Sequence, residues 1–272
     1  MKKQAWMVFL LIAFRVDAAF EHMPRGSNVV ATGGASTAIL DNPWAAFSSP
    51  GTLPSITGRV ISFDYSPQPF GIKELAQGSF TYVEPTSAGT FSISGSRFGF
   101  DLYREVDFQV SYGRSVTDLF AVGGTLHYDH LSIERYGSAH AFACDIGTLA
   151  RLSDCLQWGF TAFNVQGASI GASHERLPRV FVTGIAYQPI PEAHLAADLE
   201  KDIRYPLELH GGVQYSLLDV IALRAGTTTD PSVFSIGLGV RYSLLQLDYA
   251  FTNHEDLGPT HQVSLSLFLA GH

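Results

Sequence analysis

Phe234-Ser235-Ile236-Gly237-Leu238-Gly239-Val240-Arg241-Tyr242 sets an apolar side chain at every second position, with Ser, Gly, Gly and Arg between them. Successive side chains of a strand point to opposite faces, so this run has one greasy side and one polar side. Leu245-Gln246-Leu247-Asp248-Tyr249-Ala250-Phe251-Thr252 repeats the pattern, and Val263-Ser264-Leu265-Ser266-Leu267 repeats it again. Working back toward the N-terminus, about fourteen such segments are predicted. They lie near 59–66, 76–84, 88–97, 104–115, 118–133, 138–151, 155–165, 178–188, 192–201, 206–216, 218–227, 232–242, 244–253 and 260–269. Nine of the thirteen prolines (67, 69, 85, 178, 189, 191, 206, 231 and 259) fall at segment ends or between segments, and the other four precede the first. Proline donates no ladder hydrogen bond, so its absence from the interiors supports this division.

The connections are expected to alternate in length. Tight ones hold Ser115-Val116-Thr117, residues 151–154, Leu217-Leu218-Asp219 and Ser243-Leu244; longer ones span 66–75, 98–103, 166–177, 201–205 and 252–259. Bacterial outer-membrane barrels have short turns on the periplasmic side, where an even strand count also puts both termini. No run after the first residues approaches the roughly 18 apolar residues of a membrane helix. Yet 46 % of the chain is hydrophobic and only 15 % charged, against about 25 % charged in soluble domains. A soluble all-β exoprotein, the alternative, would wet its polar face. Here that face is Gly, Ser, Thr and Ala with scattered charges, as a lumen would be. Aromatics near the stripe ends (Tyr65, Tyr82, Tyr112, Tyr128, Trp158, Tyr187, Tyr215, Tyr242 and Phe251) suit interfacial girdles. The expected fold is all-β: a transmembrane antiparallel barrel in the bacterial outer membrane, with lipid around it.

Residues 1–18 read as a signal peptide. Met1-Lys2-Lys3 is basic, residues 5–14 are apolar, and small residues at Val16-Asp17-Ala18-Ala19 place cleavage after Ala18. Arg15 interrupts the apolar run early, which disfavours a retained anchor helix. Losing residues 1–18 takes the net charge from −8 to −10. That balance argues against nucleic acid and against basic-patch binding to anionic lipid. Residues 19–57 then form a periplasmic or hatch segment, and 58–272 the barrel.

With apolar residues outward, the lumen receives Asp198, Glu200, Glu208, His210, Arg224, Arg241 and Asp248, together with Asp64, Asp107, Gln109, His127, Asp129 and Asp145. Unpaired charges in a narrow lumen are costly, so pairs across neighbouring strands are expected, such as Glu208 or Asp248 with Arg224 or Arg241. Such a network rigidifies the wall; a solute pathway is the alternative reading. Gly33-Gly34-Ala35-Ser36-Thr37-Ala38-Ile39-Leu40 and Trp44-Ala45-Ala46-Phe47 are small and apolar, suited to short helices folded back as a hatch. Ile39, Leu40, Trp44, Phe47 and Pro50 are the candidate hatch residues, too apolar for a disordered tail.

Gly33-Gly34-Ala35, Asp41 and Trp44-Ala45-Ala46-Phe47-Ser48-Ser49-Pro50-Gly51 resemble the start of the PorV/PorQ-like proteins within the FadL-like barrel superfamily. That family has Asn-Pro-Ala where this chain has Ser49-Pro50-Gly51. The likeness continues through Leu177-Pro178-Arg179, Asp198-Leu199-Glu200-Lys201-Asp202 and Leu218-Asp219-Val220-Ile221-Ala222-Leu223-Arg224-Ala225-Gly226. It ends on a closing hairpin at Leu247-Asp248-Tyr249-Ala250-Phe251 and Leu257-Gly258-Pro259-Thr260-His261-Gln262-Val263-Ser264-Leu265. The resemblance implies fourteen strands and an N-terminal hatch. It also implies two kinds of partner: secreted proteins or secretion-channel components of a type IX-like system, and, in the wider superfamily, hydrophobic small molecules.

Other chemistry is weak in the sequence. A turn at 151–154 leaves Cys144 and Cys155 about 20 Å apart at ~3.3 Å per residue, too far for a disulfide. His127, Asp129 and His130 look like metal ligands, but His127 and His130 point to opposite faces; His254, Glu255, Asp256 and His261 match no known metal spacing. Ser264 and Ser266 lack a base, so no enzyme is expected, and no cofactor. The leading expectation is an interaction protein for secretion, with Phe70, Phe98, Phe100 and Tyr103 as exposed outer-loop contacts. FadL-like transport of hydrophobic molecules is the alternative, and a purely structural barrel the third.

Overall fold

The computed structural model describes residues 19–172, 174–218 and 220–269, so the signal peptide expected at 1–18 lies outside the described residues. The alternating segments form β1 (Arg59–Ser66), β2 (Gln77–Thr86), β3 (Gly89–Gly99), β4 (Tyr103–Ser115), β5 (Phe120–Ile133), β6 (Gly137–Ser153) and β7 (Leu156–Ala162). A two-residue pair, β8 (Ser169–Ile170) and β9 (Glu175–Arg176), makes its own small sheet. The large sheet resumes with β10 (Val180–Ile190), β11 (Ala193–Asp202), β12 (Leu207–Leu217) and β13 (Ile221–Thr229). It ends with β14 (Ser232–Tyr242), β15 (Leu245–His254) and β16 (Gly258–Leu269). β1 pairs antiparallel with both β2 and β16, closing a barrel of fourteen strands.

Register shows which face is which. In the closing pair Phe63 stands opposite Leu265, and Asp64 opposite Ser264. Phe63 and Leu265 are exposed, while Asp64 and Ser264 are buried. The same parity runs round the ring, turning Phe80, Ile93, Leu126, Phe142, Leu199, Leu223 and Leu247 outward. Each such side chain left in water forgoes roughly 1.5–3 kcal/mol of burial. A whole circumference of them is stable only against lipid.

The tight turns and both barrel termini share one end, the inner end of an outer-membrane barrel. The outer connections depart from expectation: 230–231 and 255–257 are as short as the inner turns, and only 67–76 and 163–179 are long. The reason is strand length. β15 runs to His254 and β16 begins at Gly258, so pairing absorbs most of the loop expected at 252–259. Cys144 and Cys155 are both free thiols.

Candidate functional site

Residues 19–57 cross the lumen. Gly26, at φ 88°, turns the chain against the Trp44 indole, where a β-carbon would overlap the ring. The short helix α1 (Ser27–Ala31) follows and packs on β13–β16. After a second helix, α2 (Ala45–Ser48), a 3-10 turn over Pro50–Ser55 packs on β3–β7 at the far wall. The wall admits the segment where side chains are missing. A β-carbon at Gly226 would overlap the Thr32–Gly33 backbone, and one at Gly123 the Pro50 carbonyl.

Buried charges then hold the segment. Asp198 Oδ2 accepts the N–H groups of Ser36 and Thr37, both at 2.9 Å, and the Thr37 hydroxyl at 2.7 Å. Asp64 accepts from Gln262 Nε2 and Ser264 Oγ, each at 2.6 Å, and from Ser27 Oγ at 3.2 Å. His210 Nδ1 donates to the Gly33 carbonyl at 2.7 Å. Arg25 donates to Gln77 Oε1 at 2.6 Å. Hydrogen bonds to charged groups contribute about 1.5–3 kcal/mol each.

Cavities lie on both sides of the segment. The inner one, about 880 Å³, has an apolar face of Ile39, Leu40, Ile56, Val60 and Phe268 and a polar face that includes Arg151, His194 and Arg241. The outer one, about 110 Å³, lies among Phe20, Phe47 and Phe98 and the carboxylates of Glu105, Asp107, Asp129 and Asp145. An apolar cluster of Ala19, Leu131, Ala141, Ile170 and Leu177, joined by Phe20 and Tyr103, covers the outer mouth. Ile170 belongs to β8, so the 163–179 connection supplies part of that cover.

One seam in the wall is only half laddered. β6 pairs with β5 from Gly137 to Ala150, but with β7 only from Ile146 to Ser153. Outward of Ile146 a side chain replaces the strand: Gln166 Nε2 donates to the Phe142 carbonyl at 2.9 Å, and its Oε1 accepts the Cys144 N–H at 3.0 Å. Val165 adds one main-chain bond to the Cys144 carbonyl at 2.9 Å.

The expected hatch residues fall within this assembly. Ile39 and Leu40 pack beside Ala38, Ala121, Leu149 and Ala186. Trp44 is 1 % exposed, Phe47 reaches the outer cavity, and Pro50 is buried against the far wall. In the lumen, Arg224 Nη1 meets Asp248 Oδ1 at 2.7 Å. The pairing expected of Glu208 and Arg241 is corrected. Glu208 stands opposite Glu200, and both lie 3.7 Å from His210 Nε2. Arg241 sits over the Phe268 ring at 4.3 Å. Glu208 opens β12 at the outer end and Arg241 closes β14 at the inner end, so the barrel's height separates them.

The expected exposure of the outer aromatics is also corrected: Phe70, Phe98, Phe100 and Tyr103 are all half-buried. Phe98 occupies an inward position and lines the outer cavity. Tyr103 joins the mouth cluster and donates to Glu105 Oε1 at 2.6 Å, and Phe70 packs edge-on to His254. A further constellation was not assembled from sequence: register sets Asp107 opposite Asp129 and Gln109 opposite His127. The tight turn after Ser115 fixes that register, so counting back from it was the available signal.

A closed fourteen-stranded barrel with lipid-facing apolar stripes and a polar, occupied lumen defines an outer-membrane β-barrel protein. Among solved structures it is similar to the CymD monoaromatic hydrocarbon channel, with a TM-score of 0.68 and 13 % identity over 93 % of this chain and 99 % of that one. It is similar to the Ralstonia pickettii toluene transporter TbuX, with a TM-score of 0.67 and 11 % identity over 92 % and 99 %. A Pseudomonas aeruginosa FadL homologue gives 0.64 and 14 % over 90 % and 98 %. Identities this low show a shared fold. No family model matches the chain, and no curated protein matches it in sequence. The structural neighbours are FadL-type outer-membrane channels; the PorV/PorQ branch is not shown, and the secretion reading gains no support from them.

Proposed function

We propose that this protein is a FadL-like channel that carries small hydrophobic molecules across the outer membrane. The observation that carries the reading is the inner cavity of about 880 Å³ between residues 19–57 and the wall. Small-molecule sites are typically about 300–1,000 Å³, and this one is amphipathic, with Asn28, Asp41, Gln157, His194 and Gln214 among a largely polar lining. Ile39, Leu40, Ile56, Val60 and Phe268 supply the apolar face, and Arg151 and Arg241 suit a ligand with an anionic end. The fold is that of channels described as carrying monoaromatic hydrocarbons or toluene. In this reading, export uses the signal at 1–18, residues 19–57 act as the hatch, and the seam beside Gln166 is the weak point of the wall. Secretion is the lesser reading, because its proposed docking aromatics are half-buried.

The test is uptake of radiolabelled toluene, and separately of a long-chain fatty acid, by Gram-negative cells that lack their own hydrocarbon channels. Cells carrying the assembled barrel should take up at least one of them faster than empty-vector cells. Equal rates for both would sink the reading.

A further inference from the structure

The outer cavity concentrates negative charge in a place where water is scarce. Asp107 and Asp129 face each other across the β4–β5 pair, and Asp145 comes from β6. Asp129 and Asp145 are 5 % and 4 % exposed. Against these carboxylates and Glu105 stand Arg25 and the imidazoles of His22 and His127. Arg25 donates to the neutral Gln77 amide, so its charge still faces these carboxylates. Buried charge without an opposite partner is expensive, and the carboxylates of this cavity outnumber Arg25 and the two imidazoles.

His127 is held in a revealing way. Its Nε2 lies 2.5 Å from Asp145 Oδ2, and Asp145 Oδ1 in turn accepts the Asn164 N–H at 2.8 Å. A carboxylate at Nε2 takes one ring N–H, and Nδ1 lies 3.2 Å from a second carboxylate oxygen, Asp107 Oδ1. In the imidazolium Nδ1 donates a second N–H across that gap; in the neutral ring it presents a lone pair to the carboxylate. Two acceptors at this distance repel unless a proton or a cation lies between them. Ligands of one zinc-sized ion, at bond lengths near 2.1 Å, stand about 3.4 Å apart in a tetrahedron. A carboxylate behind the far nitrogen of a ligating histidine is the usual outer support of a metal site.

A separate observation points the same way. Gln109 is 3 % exposed and lines this cavity, and its Oε1 has no hydrogen-bond partner. Its Nε2 is spent on Asp107, which leaves a buried carbonyl oxygen beside the carboxylates. Such an orphan acceptor is costly unless something binds it.

We infer that Asp107, Asp129 and His127 hold one divalent cation of the zinc class in the outer lumen, with Gln109 Oε1 as a further oxygen ligand and Asp145 as the positioning residue behind His127. The candidate ligand atoms of the three lie within 4.8 Å of one another. Side-chain rotation that closes this span by about 1.4 Å brings the atoms to the roughly 3.4 Å separation of a tetrahedral site with bonds of about 2.1 Å. Bound there, the ion neutralises the cavity and staples β4 to β5. The inference does not depend on what the barrel transports.

The full-length barrel in detergent, stripped with a chelator and desalted, is titrated with Zn²⁺ by calorimetry and with Co²⁺ by visible absorption. One equivalent should bind, with a cobalt spectrum that shows a nitrogen ligand. Asp129→Asn and His127→Gln should each weaken binding at least about tenfold, and Asp145→Asn by about 10–100-fold. Heat-modifiable migration confirms that each variant barrel has formed, and the conclusion is read from those that have. His254→Ala with His261→Ala, on the outer surface, should change nothing. No saturable binding by the parent overturns the inference, and so does binding that survives Asp129→Asn or disappears with the surface pair.

Discussion

Thr37 is tied to Asp198 twice: the same carboxylate oxygen accepts its backbone N–H at 2.9 Å and its hydroxyl at 2.7 Å. Ser36 adds a third donor to that oxygen at 2.9 Å. β11 thus supplies the acceptor that a two-residue bend in the lumen cannot supply for itself, and the N-terminal segment is pinned to the wall at mid-height.

Removing that acceptor should free the segment without opening the barrel. Asp198→Ala strips three buried donors and should weaken docking by about 3 kcal/mol or more, while Asp198→Asn keeps a carbonyl acceptor and should cost about 1–2 kcal/mol. Hydrogen exchange at the Ser36 and Thr37 amides reads this directly. Protection in Asp198→Ala equal to that of the parent would show that the carboxylate is not the anchor.

Space at the wall makes an independent prediction. A β-carbon at Gly226 would overlap the Thr32–Gly33 backbone. Gly226→Val should therefore assemble as a heat-modifiable barrel whose N-terminal segment is expelled, with larger single-channel conductance in planar bilayers than the parent. A conductance unchanged from the parent's would mean that the wall yields instead.

How much of this was readable in the chain depends on which residues carry period and which carry register. Alternation alone places Phe234, Ile236 and Leu238 outward and their neighbours inward, and the fourteen segments follow from it. The 155–165 segment overshoots, because β7 stops at Ala162 and Phe163 and Asn164 turn into the mouth. No period marks that departure. β8 and β9, at two residues each, are too short to show one. The Arg224–Asp248 pair was legible in its shared inward parity, but the two stand two strands apart and not on neighbouring strands, with Gly239 between them leaving room. The place of Glu208 and the inward turn of Phe98 required knowing height along the barrel. That comes from register and not from alternation.

The seam gives a third prediction. Gln166→Ala removes the amide that bridges the Phe142 carbonyl and the Cys144 N–H. Each lost neutral hydrogen bond costs about 0.5–1.5 kcal/mol, enough to raise local opening severalfold without unfolding the ring. The Cys144 amide should exchange faster than amides on the β5-paired side of β6, and uptake of a transported hydrocarbon should rise. Faster exchange with unchanged uptake would keep the seam as a weak point of the wall and remove it from the solute's route.

Acid should tighten the hatch. Asp41 reaches the inner cavity from the N-terminal segment. Asp41 is exposed to the lumen, and partial desolvation by the surrounding wall raises its pKa above the ordinary 3.8, against an opposing pull from Arg151 and Arg241. Glu21, on the same segment, is also raised by burial, opposed by Arg204 and reinforced by Asp202. A carboxyl whose docked pKa exceeds its free value binds its proton more tightly when docked. Docking is therefore strongest below the free pKa and weakens as pH rises through the docked one. In a Trp158→Phe background, Trp44 fluorescence reports release of the segment by denaturant. The release midpoint should fall as pH rises above about 4, the free carboxylate range. Asp41→Asn should reduce that slope, leaving the part due to Glu21. A parent midpoint independent of pH, or a slope untouched by Asp41→Asn, would mean that Asp41 is as well solvated in the lumen as in the free chain.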